Sequence, residues 1–316
     1  MSKMQIIKTI LQTDIFQSRP PVLVDVGASG EINPKWKLIA PYSICIAFDA
    51  DDREFHVSEQ TGKTYKKLFT FNRIVTNETV ENAEFYLTNS PFCSSLLEPD
   101  TKNLQPWIFS SLFVTEKKVK LPAITLQRAL SQIKINYIDW FKTDTQGTDL
   151  RLFKTLPNDI SSHILAAEFE PGIIDAYVGE DKIYSVMEYM HREKFWLSSM
   201  VPKGVQRINA AYQRKLGAFV TGKIIKKSPC WAEVTYLRQP FFTDQREILL
   251  LYIFALLEKQ YGFALEIADI GSHNFQNKIF ANCKKAALKK LRAEKWKIPF
   301  VILKRQFNKL FASIND

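Results

Sequence analysis

Four cysteines occur in the 316 residues, Cys45, Cys93, Cys230 and Cys283, and they lie far apart in the chain. Such spacing suits neither a disulfide framework nor a metal site, and it fits buried thiols in a reducing compartment. Phosphate-binding signatures are missing too. No Gly-x-x-x-x-Gly-Lys-Ser/Thr segment occurs, which excludes an ATP-type phosphate loop, and no Gly-x-Gly opens a dinucleotide fingerprint. The longest apolar run, Ile248 to Leu257, is 10 residues, well short of the ~20 that cross a bilayer. Residues 1–20 place Ile6, Ile7, Ile10 and Leu11 at helical spacing without a continuous apolar core, so they read as a helix and not as a secretory signal. Internal repeats and low-complexity segments are absent. These absences point to a cytoplasmic protein, soluble or peripheral at the inner face of a membrane.

What is present starts with 46% apolar and 13% aromatic residues, ordinary for a globular core. The net charge of +10 is unevenly spread. Between Lys278 and Lys309 there are 11 Lys or Arg and one acid, Glu294, so that stretch alone carries 11 − 1 = +10. A balanced body joined to a basic tail argues against a nucleic-acid-coated protein. The tail reads as a solvated or subunit-packing helix, or as a contact for an anionic membrane surface or for a negatively charged glycan or nucleic acid.

The most informative residues are Val22 to Gly30 and Ile44 to Asp49. Each stretch reads as a short buried strand that ends in chemistry, the first in a tight Gly27/Gly30 turn and the second in an acid. A Rossmann-like sheet holds an adenosine-containing cofactor in this way, with close backbone approach at the first turn and a carboxylate for ribose hydroxyls at the second. Asp49 follows Asp25 by 24 residues, close to the spacing of about 20 that this arrangement needs. The loop Gly27-Ala28-Ser29-Gly30 is followed by Glu31, an acid where a diphosphate would be repelled. S-adenosylmethionine carries no phosphate and bears a cationic sulfonium and amine, so an acidic pocket suits it better. The residues alone leave an ordinary strand-turn-helix open beside that reading.

Strands and helices alternate from residue 20 to about 200, with strands expected at 22–26, 44–48, 70–75, 84–88, 137–143, 164–169 and 195–199. Helices are expected at 125–134, 148–156 and 180–192, and a late strand at 232–237 follows a helical excursion over 205–217. This rhythm predicts an α/β fold with a mostly parallel sheet and helices on both faces. Asp244 can cap a helix running to about Tyr261, a basic helix follows from about 276, and Pro299 interrupts or restarts it. The expected organisation is a helical segment over 1–20, a cofactor domain over 21–240 and a basic helical extension over 241–316.

Four blocks, in order, resemble the FkbM-type methyltransferases. They are Val24-Asp25-Val26-Gly27-Ala28; Phe48-Asp49-Ala50-Asp51; Cys93-Ser94-Ser95-Leu96-Leu97-Glu98-Pro99; and Thr125-Leu126 with Ile138 to Asp149. Glu168-Phe169-Glu170 is similar to the strand-end acids that follow. The resemblance covers about residues 20–200. It implies a seven-stranded Rossmann-like methyltransferase sheet, S-adenosylmethionine as cofactor, and methylation of a sugar hydroxyl in a surface glycan or related metabolite. Methyltransferase sheets often end with an antiparallel strand inserted beside the last parallel one, which the late strand would supply. Three positions depart from the family: Gln146 and Asp149 stand where it has Glu, and Gln127 where it has Asp. Gln146 can hydrogen-bond but cannot take a proton at neutral pH.

On this reading Gly27, Ala28, Ser29, Gly30 and Asp49 line the cofactor, and Asp25 supports the loop or meets the cofactor's amine. Asp144, Glu168 and Glu170 are the catalytic candidates, at strand ends where ligands bind in open α/β sheets. Ser94, Ser95 and Gln146 are candidates for acceptor contact. No metal is expected. Two alternatives stay open: an RNA methyltransferase, although no Asn-Pro-Pro-Tyr-like motif occurs and nucleic acid is not the expected partner, and a non-catalytic member that binds cofactor or partner only.

Overall fold

Val22–Val26 (β1) and Ile44–Phe48 (β2) form short strands because nearly every residue in them is apolar and buried, the pattern of a parallel strand covered on both faces. In the computed structural model, described over residues 2–28, 33–49, 64–241, 244–300 and 302–303, both lie inside a seven-stranded sheet. Its other strands are Lys67–Phe71 (β3), Trp140–Thr143 (β7), Ala166–Phe169 (β8), Phe195–Gln206 (β9) and Lys227–Arg238 (β10). The order is β3-β2-β1-β7-β8-β10-β9. Only β10 runs against its neighbours, antiparallel to both β8 and β9. The fold is Rossmann-like α/β, with its chain reversal at β1, between β2 and β7.

A smaller sheet of three strands follows β3: Ile74–Val75 (β4), Asn82–Thr88 (β5) and Thr115–Ile124 (β6), in the order β4-β6-β5. The strand expected at 70–75 is therefore two strands in two sheets, parted at Asn72 and Arg73. β6 was not expected at all. Its run Thr-Glu-Lys-Lys-Val-Lys is exposed or half-buried on both faces, so it carries no alternation of apolar and polar residues. β9 and β10 extend well beyond 195–199 and 232–237, pairing from Arg238↔Phe195 out to Lys227↔Gln206. The outer half of that hairpin is mostly exposed or half-buried, so it carries no clear apolar pattern.

Thr125 caps the helix Leu126–Gln132 by accepting a hydrogen bond from the Arg128 amide at 3.2 Å. The core beneath the sheet is aromatic: Phe153 meets Phe141 at 5.4 Å and Phe169 at 5.5 Å between ring centroids, both edge-on.

Residues 14–239 form one compact unit and residues 1–13 with 240–316 form another. The helix Lys3–Leu11 thus belongs with the C-terminal helices, where the sequence reading placed residues 1–20 as a segment of their own. The reason is its apolar stripe: Ile6, Ile7, Ile10 and Leu11 are all buried. Asp244 caps the helix Gln245–Leu257, whose ten-residue apolar run is core. The basic helix Lys278–Glu294 buries Phe280, Cys283, Ala286 and Ala287 and turns its lysines outward. A Cβ on Gly271 would run into the Phe280 ring, so glycine there lets two helices approach closely. Among the described residues no helix is long and apolar enough to cross a membrane.

Candidate functional site

The carboxyl ends of β1, β2, β7 and β8 open on a cavity of about 490 Å³, within the roughly 300–1,000 Å³ range of small-molecule sites. β1 ends in Gly27, with φ +82°. The Gly27 and Ala28 amides both donate to the Phe48 carbonyl at the end of β2, at 2.9 and 3.1 Å. The Asp144 amide donates to the Val26 carbonyl at 2.9 Å, and a Cβ on Gly27 would collide with the Asp144 carbonyl oxygen. Three strand ends are therefore stitched together by backbone, and only glycine fits at the join. Ser29 and Gly30 lie outside the described residues. Asp49, at the end of β2, lines the cavity, its amide donating to the Phe71 carbonyl at 3.2 Å.

Asp25 and Glu168 are placed elsewhere. Asp25, Lys142, Glu168 and Thr235 stand side by side on adjacent strands, paired Asp25↔Lys142, Lys142↔Glu168 and Thr235↔Glu168. Lys142 Nζ donates to Asp25 Oδ1 at 2.6 Å, and the Asn33 amide reaches Asp25 Oδ2 at 3.4 Å. Burial works against the charge on Lys142, but Asp25 and Asp144 outweigh it and raise its pKa. Glu168 accepts from Lys35 Nζ at 2.7 Å, Asn33 Nδ2 at 2.9 Å and Trp140 Nε1 at 2.8 Å. This polar row knits the sheet face together, and neither acid lines the cavity. Both were sequence candidates for cofactor or catalysis; here they support the strands that carry the site.

Asp144 and Glu170 do meet in the cavity. The β8 strand ends at Phe169, so Glu170 leaves the face that Glu168 occupies, although a strand period of two would have kept them together. Glu170 is hydrogen-bonded to the Asp144 carboxyl, and Trp231 Nε1 donates to Glu170 Oε1 at 3.0 Å. Burial, then the nearby Asp144 charge, pushes the Glu170 pKa well above the usual carboxylate range. Near neutral pH Glu170 thus keeps its proton, shared with the Asp144 carboxyl. Gln146 Nε2 donates to Asp144 Oδ1 at 2.7 Å.

Asp149 holds this geometry and was missed as a site residue. Its Oδ1 accepts from the Thr143 hydroxyl at 2.9 Å, the Thr145 amide at 2.9 Å and the Thr145 hydroxyl at 2.5 Å. Its Oδ2 accepts from the Glu170 amide at 2.7 Å, so one buried carboxylate pins the ends of β7 and β8. Burial and the Asp144 charge raise its pKa to about 6, against the hydrogen bonds that lower it. The signal for it was the Gln146-Gly147-Thr148-Asp149 block, where Asp149 stood out as a departure from the family pattern but only Gln146 was a site candidate.

Ser94 and Ser95 sit on the loop after β5. Ser95 is fully buried; its hydroxyl donates to the Gln146 carbonyl at 2.7 Å and accepts from the Leu97 amide at 3.0 Å. It braces the Gln146 turn, which holds φ +55° without being glycine. Ser94 lines the cavity and accepts from the Thr88 amide at 3.1 Å.

The cavity also has an aromatic end. Phe109 and Trp231 lie near-parallel, 6.2 Å apart with 10° between planes. Tyr177 donates to the Cys93 carbonyl at 2.8 Å, and Gln146 Oε1 lies 3.3 Å from its hydroxyl. These aromatics gave no sequence signal, because a Trp or Tyr in an apolar stretch reads as core. The described lining carries four acids, Asp49, Asp144, Glu170 and Glu180, against one basic residue, Arg73; of the four, Glu170 keeps its proton and Glu180 is ion-paired to Lys182 at 2.7 Å. Neither a family model nor a curated protein matches the chain.

Proposed function

We propose that the chain is an S-adenosylmethionine-dependent O-methyltransferase of the FkbM type, acting on a sugar hydroxyl of a glycan or related metabolite. The observation that carries this reading is the acidic cavity at the carboxyl ends of β1, β2 and β7. Gly27 joins the strand ends there, where a Cβ would meet the Asp144 carbonyl, Asp49 is poised at the second strand end, and acids outnumber bases on the lining. Such a lining suits a cationic sulfonium and disfavours a diphosphate. The sheet order, with β10 reversed and inserted between β8 and β9, is the one the methyltransferase resemblance implies.

When bound, S-adenosylmethionine supplies an electrophilic methyl group, and its transfer to oxygen leaves the acceptor's proton to be removed. Asp144, the acid that both Glu170 and Gln146 hydrogen-bond, is suited to take that proton. Glu170 keeps its own proton on the Asp144 side, and Gln146 orients Asp144 through Oδ1. Phe109 and Trp231 offer flat faces to the apolar face of a sugar ring, while Glu170 and the Trp231 N–H lie at its polar edge.

Isothermal titration with S-adenosylmethionine, its demethylated product, NAD and ATP tests the cofactor. Binding of the first two is expected, and tighter binding of NAD or ATP sinks the reading. Turnover is checked by comparing glycan masses with and without the protein. Stoichiometric cofactor binding without any methylated product favours the non-catalytic reading that Gln146 raises.

A further inference from the structure

Between β9 and β10 the chain makes an excursion that the cavity does not use. From Arg207 to Lys227 it carries six basic residues, Arg207, Arg214, Lys215, Lys223, Lys226 and Lys227, and no acid. All six are exposed. Two short helices, Ala210–Leu216 and Ala218–Ile224, make up most of it and join at Gly217, with φ +83°.

Their apolar side chains face water. Phe219 is 79% exposed, Ile224 76%, Tyr212 62% and Leu216 54%. The side chain that the second helix buries is polar: Thr221 is 0% exposed, and its hydroxyl donates to the Gly217 carbonyl at 3.1 Å. A helix shaped for water does the reverse. An exposed apolar patch of this kind marks a surface that something covers.

The charge identifies the cover. A second copy of the chain would bring the same six cations against these and be repelled. A nucleic acid would engage the cations but has no use for Leu216, Val220 and Ile224, since its bases stack on aromatic faces. An anionic bilayer uses both sets, taking aliphatic and aromatic side chains into the headgroup boundary while lysines and arginines meet lipid phosphates.

We propose that the Arg207–Lys227 tip docks the protein on an anionic phospholipid surface. The tip is joined directly to the aromatic end of the cavity. The Ile108 amide donates to the Gln206 carbonyl at 3.2 Å, and the Arg207 guanidinium stands 5.5 Å from the Trp107 ring centroid. Phe109 follows on the cavity wall, facing Trp231 of β10. Docking at this tip suits an acceptor that is itself carried on the lipid surface. Membrane contact was expected of the basic C-terminal stretch; the tip concentrates charge with outward apolar side chains in the unit that holds the cavity.

The test is co-sedimentation of the full chain with vesicles of phosphatidylcholine alone and of phosphatidylcholine mixed with phosphatidylglycerol, at low and high salt. Three variants are compared: Phe219→Ser with Ile224→Ser, Lys226→Glu with Lys227→Glu, and a C-terminal control, Lys295→Glu with Trp296→Ser. The wild type should bind only the phosphatidylglycerol vesicles, more weakly at high salt. Each tip variant should lose affinity by about tenfold or more, and the control should not. All the substituted side chains are exposed, and circular dichroism checks that each variant folds. The proposal is overturned if the wild type ignores anionic vesicles at low salt, if tip variants bind as it does, or if only the control loses binding. It is also overturned if sedimentation velocity shows a wild-type dimer that the Phe219→Ser, Ile224→Ser variant splits. None of these readouts depends on cofactor or acceptor.

Discussion

Lys142 Nζ lies 2.6 Å from Asp25 Oδ1, each residue directly opposite the other on adjacent parallel strands. Asp25 is 0% exposed, and that ammonium is its ion-pair partner. Replacing Lys142 with Met leaves a buried carboxylate uncompensated, which costs roughly 3–5 kcal/mol. Urea unfolding should show that loss, and the double variant Asp25→Asn, Lys142→Met should recover much of it. A Lys142→Met variant as stable as the wild type would mean that Asp25 is held some other way.

Gly27 couples the first strand end to the Asp144 loop. Gly27→Ala must adopt φ +82° and push the Asp144 carbonyl aside. The strain of order 1–3 kcal/mol should appear as lower stability together with weaker S-adenosylmethionine binding. Unchanged affinity by calorimetry in the folded variant would detach Gly27 from the cofactor.

Asp49 is expected to accept hydrogen bonds from the cofactor's ribose. Hydrogen bonds to a charged group contribute about 1.5–3 kcal/mol, so Asp49→Ala should weaken cofactor binding by about tenfold or more. Calorimetry on a variant with a native circular dichroism spectrum decides it, and an unaltered dissociation constant places the ribose elsewhere.

Glu170 sets a pH dependence of stability. Its folded pKa is raised above its ordinary value, so the folded state keeps a proton that the unfolded state has released. Its contribution is full below the ordinary carboxylate range and is lost as pH rises through the folded value. Asp149 adds a smaller loss of the same sign, complete by about pH 6. Denaturation midpoints measured across neutral and alkaline pH should fall in the wild type and flatten in Glu170→Gln. Parallel curves for the two proteins would show that Glu170 is not the group that titrates.

Much of this protein can be read from its sequence by itself. β1, β2, β7 and β8 are runs of apolar residues that only a sheet covered on both faces can bury, so their existence and parallel sense follow from local pattern. The turn at Gly27 and the acids at Asp49, Asp144 and Glu170 follow as well, because a strand's carboxyl end is where a sheet of this kind exposes side chains to a ligand. Tertiary structure alone decided which acids reach the cavity. Asp25 and Glu168 are carboxylic acids like Asp49 and Glu170, yet Lys142, Lys35 and Trp140 claim them across the sheet face, and Lys142 and Lys35 reach them from more than 100 residues away in the chain. Trp231 reaches Glu170 because β10 inserts beside β8, a consequence of sheet order that no local window contains. The outward Phe219 and Ile224 belong to the same class. A short helix shows its apolar residues in sequence, but which way they face depends on what the rest of the fold leaves for them to cover.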